Sequence, residues 1–104
     1  MRLVERTQET VEFLPRVTVE DSLGSRAEGF ASSGVQLRAC CLPLEGSYSG
    51  EERGAVTVER LRLLVPADAP VQVGDAVRIR GRRYRVHALR RWTAHLELDC
   101  EALP

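Results

Sequence analysis

The sequence has no lysine and few aromatic residues, and each shortage narrows what the chain can do. All 15 basic residues are arginine and they balance 15 acidic residues, so the formal net charge is zero. A chain without a basic excess lacks the global electrostatic signature of a nucleic-acid-binding protein. Aromatic residues make up 5% of the chain, which is a small supply for a module that binds single-stranded nucleic acid by base stacking.

Long apolar runs and metal-ligand patterns are also missing. No apolar run approaches the roughly 18 residues that would span a membrane, and the N-terminal MRLVERTQET lacks the apolar core of a signal peptide. Cys40, Cys41 and Cys100 show none of the usual zinc spacings, so we expect buried small residues in a reducing compartment. Glu51 and Glu52 are adjacent in the sequence, so we do not expect them to face each other across a cleft as a catalytic pair of carboxylates does. We therefore expect neither an enzyme nor a cofactor.

The sequence does show a clear alternation of apolar and polar residues with a period of two. Gly, Pro, Ser and Asp interrupt it repeatedly, as expected of short strands joined by turns. The length of 104 residues suits one domain, 1–104. The pattern predicts an all-β fold, a small antiparallel β-barrel or sandwich of about six strands with two long flexible loops. Alternation alone does not choose between barrel and sandwich.

The N-terminal part predicts one strand and one long connection. A strand near Val11–Glu20 contains Pro15, which cannot donate a ladder hydrogen bond, so the strand is an edge or is broken there. Val17 and Val19 are expected to face the core. Three glycines and four serines in Asp21–Gly34 predict a long loop or a loose hairpin.

The middle of the chain predicts two strands around a polar loop. The strand Val35–Leu42 ends before a proline, and the acid-rich loop Glu45–Gly54 follows it. In Ala55–Val65 the alternation slips by one residue, which predicts a bulge near Glu59–Arg60. The segment Pro66–Pro70 is expected to be a rigid turn.

The C-terminal third predicts three consecutive antiparallel strands. A two-residue turn at Gly81–Arg82, with glycine at its first central position, suits a type II′ hairpin that sets Ile79 opposite Tyr84. A three-residue turn at 90–92 then sets Val86 opposite Leu96, because this register keeps both faces consistent.

That register makes further predictions for the last strand, Thr93–Ala102. Alternate residues face inward, namely Ala94, Leu96, Leu98 and Cys100. The two histidines, His87 and His95, lie opposite each other on the outer face, where they make a poor metal site.

Seven arginines fall within fourteen residues that contain no acid, a local charge of +7 that leaves −7 for the rest of the chain. They are Arg78, Arg80, Arg82, Arg83, Arg85, Arg90 and Arg91. In one interpretation they form a solvated strand face in which Arg83 and Arg85 pair with Asp99 and Glu97. In the other the excess charge meets an external anion, which could be DNA phosphate or an acidic neighbouring subunit.

The order of these motifs resembles a known family. RVTVEDSLGSRAEGF, VQLRACCLPLEGSYSGEE, VERLRLLVPADAPVQVGDAVRIRGRRYRV and HLELDCEA are similar, in order and spacing, to the elements of the head-closure (stopper, or head-tail joining) proteins of tailed bacteriophages. The GDxVxxxGxxYxV hairpin is matched by Gly74, Asp75, Val77, Gly81, Tyr84 and Val86. The preceding turn is matched by Leu42, Pro43, Leu44 and Gly46. Phe30 departs from the pattern, since a Trp-bearing strand is expected there.

The resemblance implies a non-enzymatic virion protein. It implies a β-barrel that forms a homo-oligomeric ring, commonly a hexamer, between the portal or adaptor ring and the tail proteins. Such a ring is assembled in the host cytoplasm, retains packaged double-stranded DNA and carries the tail. By position, the loop that projects into the channel is Glu45–Gly54, with Glu45, Tyr48, Glu51, Glu52 and Arg53 as candidate channel residues. The candidate interface or DNA-facing arginines are Arg78, Arg80, Arg83, Arg85, Arg90 and Arg91.

Two other functions remain open from the sequence. One is another connector component, such as a tail terminator. The other is a stand-alone small-barrel module that binds nucleic acid. The second would need several exposed aromatic rings, and the whole supply is Phe13, Phe30, Tyr48, Tyr84 and Trp92.

Overall fold

The computed structural model of the protein describes residues 8–44, 47–48 and 57–104. Within these ranges the chain forms ten β-strands and no helix. The strands are β1 Gln8–Leu14, β2 Arg16–Glu20, β3 Arg26–Phe30, β4 Val35–Pro43, β5 Ser47–Tyr48, β6 Thr57–Val58, β7 Arg60–Pro66, β8 Ala76–Ile79, β9 Arg82–Arg91 and β10 His95–Ala102.

Six of the strands close into an antiparallel barrel in the order β1-β4-β7-β10-β9-β8. The predicted all-β class is confirmed, and of the two architectures left open the barrel is the one observed. The remaining strands form two separate two-stranded sheets, β2–β3 and β5–β6. Closing the barrel gives every one of its strands a partner on both sides over at least part of its length, which removes most of the open edge that an isolated sheet would leave.

The barrel interior is filled by the inward-facing residues of the alternating strands. Leu63, Val77, Val86 and Leu98 are 0% exposed, and they belong to one continuous cluster of buried residues. Period-2 alternation places one apolar face of a strand inside, as predicted for Leu96, Leu98 and Cys100 of β10. β4 departs from simple alternation, because Cys40 and Cys41 are both buried and Val35 is 48% exposed. The three cysteines are buried as expected, and none is in a disulfide. Burial raises the pKa of the Cys41 and Cys100 thiols to about 12.

Pro15 divides the predicted first strand into β1 and β2, so the strand is broken there. The expectation that Val17 and Val19 face the core was wrong, because they are 36% and 54% exposed. The chain leaves the barrel at Pro15, and among the described strands β2 pairs with β3 alone. The segment Asp21–Gly34 therefore contains a strand, and β2 and β3 form a hairpin that we call the arm (Arg16–Phe30).

The bulge predicted near Glu59–Arg60 was wrong, because the slip in alternation there marks the end of one strand and the start of another with different partners. β6 ends at Val58 and pairs with β5, whereas β7 begins at Arg60 and pairs with β4 and β10. The proline turn is confirmed, with the Ala69 N–H donating to the Pro66 carbonyl at 3.0 Å.

Both C-terminal turns differ from their predicted positions. Ile79 lies opposite Arg82, so the central residues of the first turn are Arg80 and Gly81. Both have positive φ, 52° and 82°, as a type I′ turn requires. Arg80 accepts the left-handed conformation that the sequence argument had reserved for glycine.

The second turn was also wrong, by a larger margin. The Trp92 N–H donates to the His95 carbonyl at 2.9 Å, so the tip is Thr93–Ala94, and Ala94 is exposed rather than inward-facing. Val86 lies opposite Cys100, and the register shifts at the next step, leaving His87 as an extra residue on β9. A bulge of this kind reverses the alternation, which a two-face argument without bulges cannot anticipate.

The antiparallel order defines two ends of the barrel. At the loop end, β4 runs out toward the 45–58 segment and β8 turns into β9 at Arg80–Gly81. At the arm end, β1 leads into the arm, β7 leads into the proline turn, and β9 turns into β10 at Thr93–Ala94.

Candidate functional site: the arginine face and the two ends of the barrel

Two of the seven clustered arginines pair with acids on the neighbouring strand β1. Arg78 Nη1 lies 2.7 Å from Glu12 Oε1, and Arg80 Nε lies 2.9 Å from Glu9 Oε1. These acids come from the start of the chain, about seventy positions away in sequence, and become neighbours only when the barrel closes β1 onto β8. Sequence reasoning missed both acids for that reason.

Two further arginines pair with acids on β10 and beside β7. Arg82 Nη1 lies 2.5 Å from Glu59 Oε1. Arg90 Nη2 lies 2.6 Å from Glu97 and 3.0 Å from Asp99. The prediction that Arg83 and Arg85 pair with these β10 acids was wrong, because the turn lies at Thr93–Ala94 and the bulge at His87 adds one residue, which together place Arg90 opposite Glu97.

Asp99 is the most enclosed acid of this face and was missed as a buried group. Its side chain was expected to face outward, and it does, but it is only 8% exposed because Arg62 and Arg90 cover it. Arg62 Nε donates to Asp99 at 2.9 Å. Desolvation acts to raise the pKa of Asp99, but the hydrogen bonds and charges of Arg62 and Arg90 outweigh it, so the pKa lies below its ordinary value. The carboxylate therefore stays ionised and holds β7, β9 and β10 together.

Three of the clustered arginines have no acid partner among residues 8–44 and 57–104. Arg83 and Arg85 lie against the ring of Phe30, with Cζ-to-centroid distances of 6.0 and 5.4 Å. Arg91 is exposed at the end of β9. The unpaired charge of the face is thus concentrated at Arg83 and Arg85, where the base of the arm meets β9. Phe30 was flagged in sequence only as a departure from the expected pattern.

The loop end of the barrel carries the segment that was predicted to project. Its entry and exit meet at one point, where the Leu44 N–H donates to the Arg60 carbonyl at 3.1 Å. Beyond that point Ser47 pairs with Val58 and Tyr48 with Thr57, so the segment leaves the barrel as a ribbon. Of the candidate channel residues, Tyr48 lies in β5; Glu45, Glu51, Glu52 and Arg53 lie outside the described residues.

Glu59 anchors the exit of this ribbon. Its carbonyl accepts a hydrogen bond from the Ala102 N–H at 2.9 Å, and its carboxylate pairs with Arg82 and accepts a hydrogen bond from the Tyr84 hydroxyl. Burial, followed by the bond to Glu59, raises the pKa of Tyr84 to about 12. The root of the candidate channel segment is thus fixed to β7, β9 and β10.

The arm end carries a polar cleft between the arm and the proline turn. Arg16 Nε lies 3.8 Å from Asp75, and its guanidinium packs against Gly74, whose φ of 100° suits glycine. Asp75 also accepts a hydrogen bond from the Gln72 N–H at 2.9 Å. These contacts join the base of the arm to the start of β8, and the cleft between them measures about 650 Å³.

The histidines do not meet, contrary to the prediction. His87 lies at the bulge with its Nε2 3.0 Å from Arg60 Nη2, whereas His95 stacks on Trp92 with ring centroids 6.3 Å apart. Within the described ranges no group of three or more His, Cys, Asp or Glu side chains could hold a metal ion. No helix long and apolar enough to cross a membrane occurs in the same ranges.

Aromatic side chains offer little stacking surface in the described part of the chain. Phe13 and Tyr84 are 2% and 4% exposed, and Trp92 is 53% exposed. Phe30 is partly covered and lies under two arginines. This arrangement does not provide the row of open rings that single-stranded nucleic acid stacks on.

Comparison with known proteins gives fold relatives. A scan against protein-family models finds no match, and no curated protein matches the sequence. Among solved structures, the phage-like element PBSX protein xkdH from Bacillus subtilis superposes with a TM-score of 0.62 at 14% identity, over 91% of this chain and 93% of that one. A chain from the virion of a native gene transfer agent particle also gives 0.62, at 22% identity, over 90% of each chain. The sequence resemblance to phage proteins is thus confirmed as a shared fold spanning nearly the whole length of each chain.

Proposed function

We propose that this chain is a structural virion protein of the head-tail connector, a stopper whose ring seals the portal channel, retains packaged DNA and carries the tail. The observation that carries the proposal is the fold shared over about 90% of the chain with a protein of a phage-like element and with a chain of a gene transfer agent virion. The whole chain, 1–104, acts as one domain of that ring, and the ring is a hexamer of identical subunits.

The loop end supplies the seal in this proposal. The ribbon rooted at Leu44 and Glu59 projects into the channel and carries Glu45, Glu51 and Glu52 against one basic residue, Arg53. This net negative charge repels DNA phosphate, which suits a gate more than a grip. The root is held by backbone bonds and by Arg82, so the barrel can resist the pressure of packaged DNA at that point.

The arginine face supplies contact with a neighbour. Since Arg78, Arg80 and Arg90 are paired with acids within the chain, the charge available to a partner is that of Arg83, Arg85 and Arg91. Identical subunits that pack head to tail bring a basic surface of one against a different, acidic surface of the next. We favour a protein neighbour over DNA, because the remainder of the chain is net acidic. It carries 8 arginines against 15 acids, and it keeps a net charge of −2 when the five acids that pair with the cluster are set aside.

Reversal of Arg83 and Arg85 tests this contact. The double variant Arg83→Glu, Arg85→Glu is expected to fold, because both side chains lie on the outer face, and to fail in ring or particle assembly. The matched control, Arg83→Lys with Arg85→Lys, keeps the charge and is expected to assemble. Normal assembly and full DNA retention by the reversed variant would show that the face is only solvated.

Neutralising the candidate channel loop tests the seal. Particles built with Glu51→Gln and Glu52→Gln are expected to assemble and carry tails but to lose packaged DNA, measured as nuclease-sensitive DNA over time. Asp68→Asn removes an exposed acid at the arm end and is the control that retains DNA. Full retention by the loop variant contradicts the assignment of the gate.

A tail-terminator position in the same particle is the alternative assignment. Omission of the chain distinguishes the two. Loss of a stopper leaves emptied heads without attached tails, whereas loss of a terminator leaves full heads and tails of uncontrolled length. A nucleic-acid-binding module is disfavoured by the buried aromatic rings.

A further inference from the structure

The arm presents an apolar face whose outer part the described chain leaves uncovered. Arg16 and Phe30 on one face contact the barrel. The cross-strand pairs on the other face are Val17 with Gly29 and Val19 with Ala27. Val19 is 54% exposed, and Leu23, at the tip, is 89% exposed. An isolated two-stranded ribbon is marginally stable in water, and clustered exposed apolar side chains on such a ribbon indicate a protein contact.

An apolar cleft of about 800 Å³ lies elsewhere on the same barrel. β4 and β7 pair only from Cys40–Leu64 to Pro43–Leu61, and toward the arm end the two strands separate. The walls of the opening are mainly apolar and include Leu37, Leu64, Val65, Pro66 and Ala94. The separation leaves the facing backbone edges of β4 and β7 without ladder partners among the described residues, a feature that proteins usually cover.

The arm and this cleft lie on opposite sides of the barrel. The arm rests on the outer face of β9, through Phe30, and against the start of β8, through Arg16. In the closed order β1-β4-β7-β10-β9-β8, β9 and β8 are the strands directly across from β4 and β7. Both features also belong to the arm end, so they lie at a similar height along the barrel axis.

We propose that the arm of one subunit docks into the β4–β7 cleft of a second copy of this chain, with Val19 and Leu23 as its apolar anchors. An interface between two different surfaces of the same protein is heterologous, and repeated around an axis it closes into a ring. A second copy is the occupant because one chain carries both halves, an unsupported apolar ribbon and an apolar cleft with open strand edges, on opposite sides. The proposal rests on the ring assembly proposed above and names the surfaces that build it.

Engineered disulfides test the contact in the full-length chain. The native cysteines Cys40, Cys41 and Cys100 are at most 8% exposed, and burial raises the pKa of the Cys41 and Cys100 thiols. They are therefore expected not to form disulfides under mild oxidation. Val19→Cys on the arm is combined with Ala94→Cys, an exposed position at the cleft. Under mild oxidation at high protein concentration this double variant is expected to give a ladder of dimers, trimers and closed rings on a non-reducing gel.

The matched control moves the arm cysteine to the opposite face of the ribbon. Thr18→Cys combined with Ala94→Cys uses an exposed neighbour whose side chain points away from the apolar face, and it is expected to give at least tenfold less ladder. Mixing the two single variants, Val19→Cys and Ala94→Cys, is expected to give one heterodimer and nothing larger. Equal ladders from Thr18→Cys and Val19→Cys, or no ladder from either, overturn the proposal. Dimers of Val19→Cys alone would show a symmetric arm-to-arm contact and would also overturn it.

The cross-linking experiment can fail independently of the proposed stopper function. Rings that form without the Val19–Ala94 link leave the stopper assignment intact and refute the arm contact. A specific ladder from a chain whose loss has no effect on DNA retention or tail attachment supports the arm contact and refutes the stopper. Leu23→Asp provides a disulfide-free check, because it is expected to weaken self-association in sedimentation while leaving the thermal unfolding of the monomer unchanged.

Discussion

The strands β2 and β10 have the same alternating pattern, but the apolar face of β10 is buried and that of β2 is exposed. In β10, Leu98 and Cys100 are 0% exposed, whereas Val17 and Val19 of β2 are 36% and 54% exposed. β10 lies between β7 and β9 in the barrel, whereas β2 has β3 as its one neighbour within the described part of the chain. Alternation therefore specifies that one face of a strand is apolar, and the neighbours of the strand decide whether that face meets a core, solvent or another protein.

The largest expected difference between the two strands is the loss of unfolding free energy when a carboxylate is introduced at matched positions. Leu98→Asp places an unpaired charge inside the barrel and is expected to cost about 4–5 kcal/mol or more, enough to unfold the domain. Val19→Asp lies on the open arm and is expected to change the free energy of unfolding by less than about 0.5 kcal/mol. Thermal melts followed by circular dichroism measure both. Equal melting temperatures for the two variants would remove the distinction between barrel and arm.

Gly24 at the tip of the arm and Gly34, where the chain re-enters the barrel after the arm, provide the next comparison. A Cβ on Gly34, where the chain returns to the barrel, would lie 1.8 Å from the Phe13 carbonyl oxygen. Gly34→Ala is thus expected to cost about 1–3 kcal/mol through forced backbone movement. Gly24 at the tip has a φ of 88° and open space around it, so Gly24→Ala is expected to cost only the left-handed penalty, about 1–2 kcal/mol. Urea titrations compare them, and a larger loss for Gly24→Ala would contradict a tight junction.

Acid is expected to weaken the barrel through Asp99, in a way that the arm does not share. The pKa of Asp99 is lowered by Arg62 and Arg90, so its stabilisation is present above the ordinary carboxyl value of about 4 and is lost as pH falls through the folded-state value. Unfolding by urea between about pH 6 and about pH 2 measures the slope. Asp99→Asn should flatten part of that slope. Identical slopes for Asp99→Asn and the parent protein would show that the pair contributes no stability.

The smallest expected effect concerns the joint between arm and barrel. Phe30→Ala removes the ring between Arg83 and Arg85, a cation–π contact of about 0.5–1 kcal/mol at an exposed site. The melting temperature should barely change, while amide hydrogen exchange in β2 and β3 should become faster and that of β10 should stay slow. Exchange in the arm that remains as slow as in β10 would mean that the ring does not hold the arm in place.

The sequence by itself determined the strand content and much of the core. The inward positions of Leu96, Leu98 and Cys100, the break at Pro15 and the proline turn follow from local patterns, because pleat period and proline chemistry are local properties. The slip near Glu59 marked an irregularity, but the structure has a break between two strands there and not the predicted bulge. The buried cysteines follow in the same way. The sequence also shows that the candidate channel loop Glu45–Gly54 is rich in acids, and the role of this loop in the channel stays a prediction.

Only the tertiary structure decided which surfaces meet. The acids opposite Arg78 and Arg80 come from β1, and no local pattern shows that β1 closes against β8. The turn at Arg80–Gly81 shifts the β8–β9 register by two residues, and the turn at Thr93–Ala94 with the bulge at His87 moves the partner of Val86 by four residues, from Leu96 to Cys100. A bulge changes the alternation without leaving a distinct sequence mark. The exposure of Val17 and Val19 depends on β2 leaving the barrel. Closure of the barrel couples residues far apart in the chain, and for that reason the partners of the arginines and the free face of the arm could not be derived from sequence.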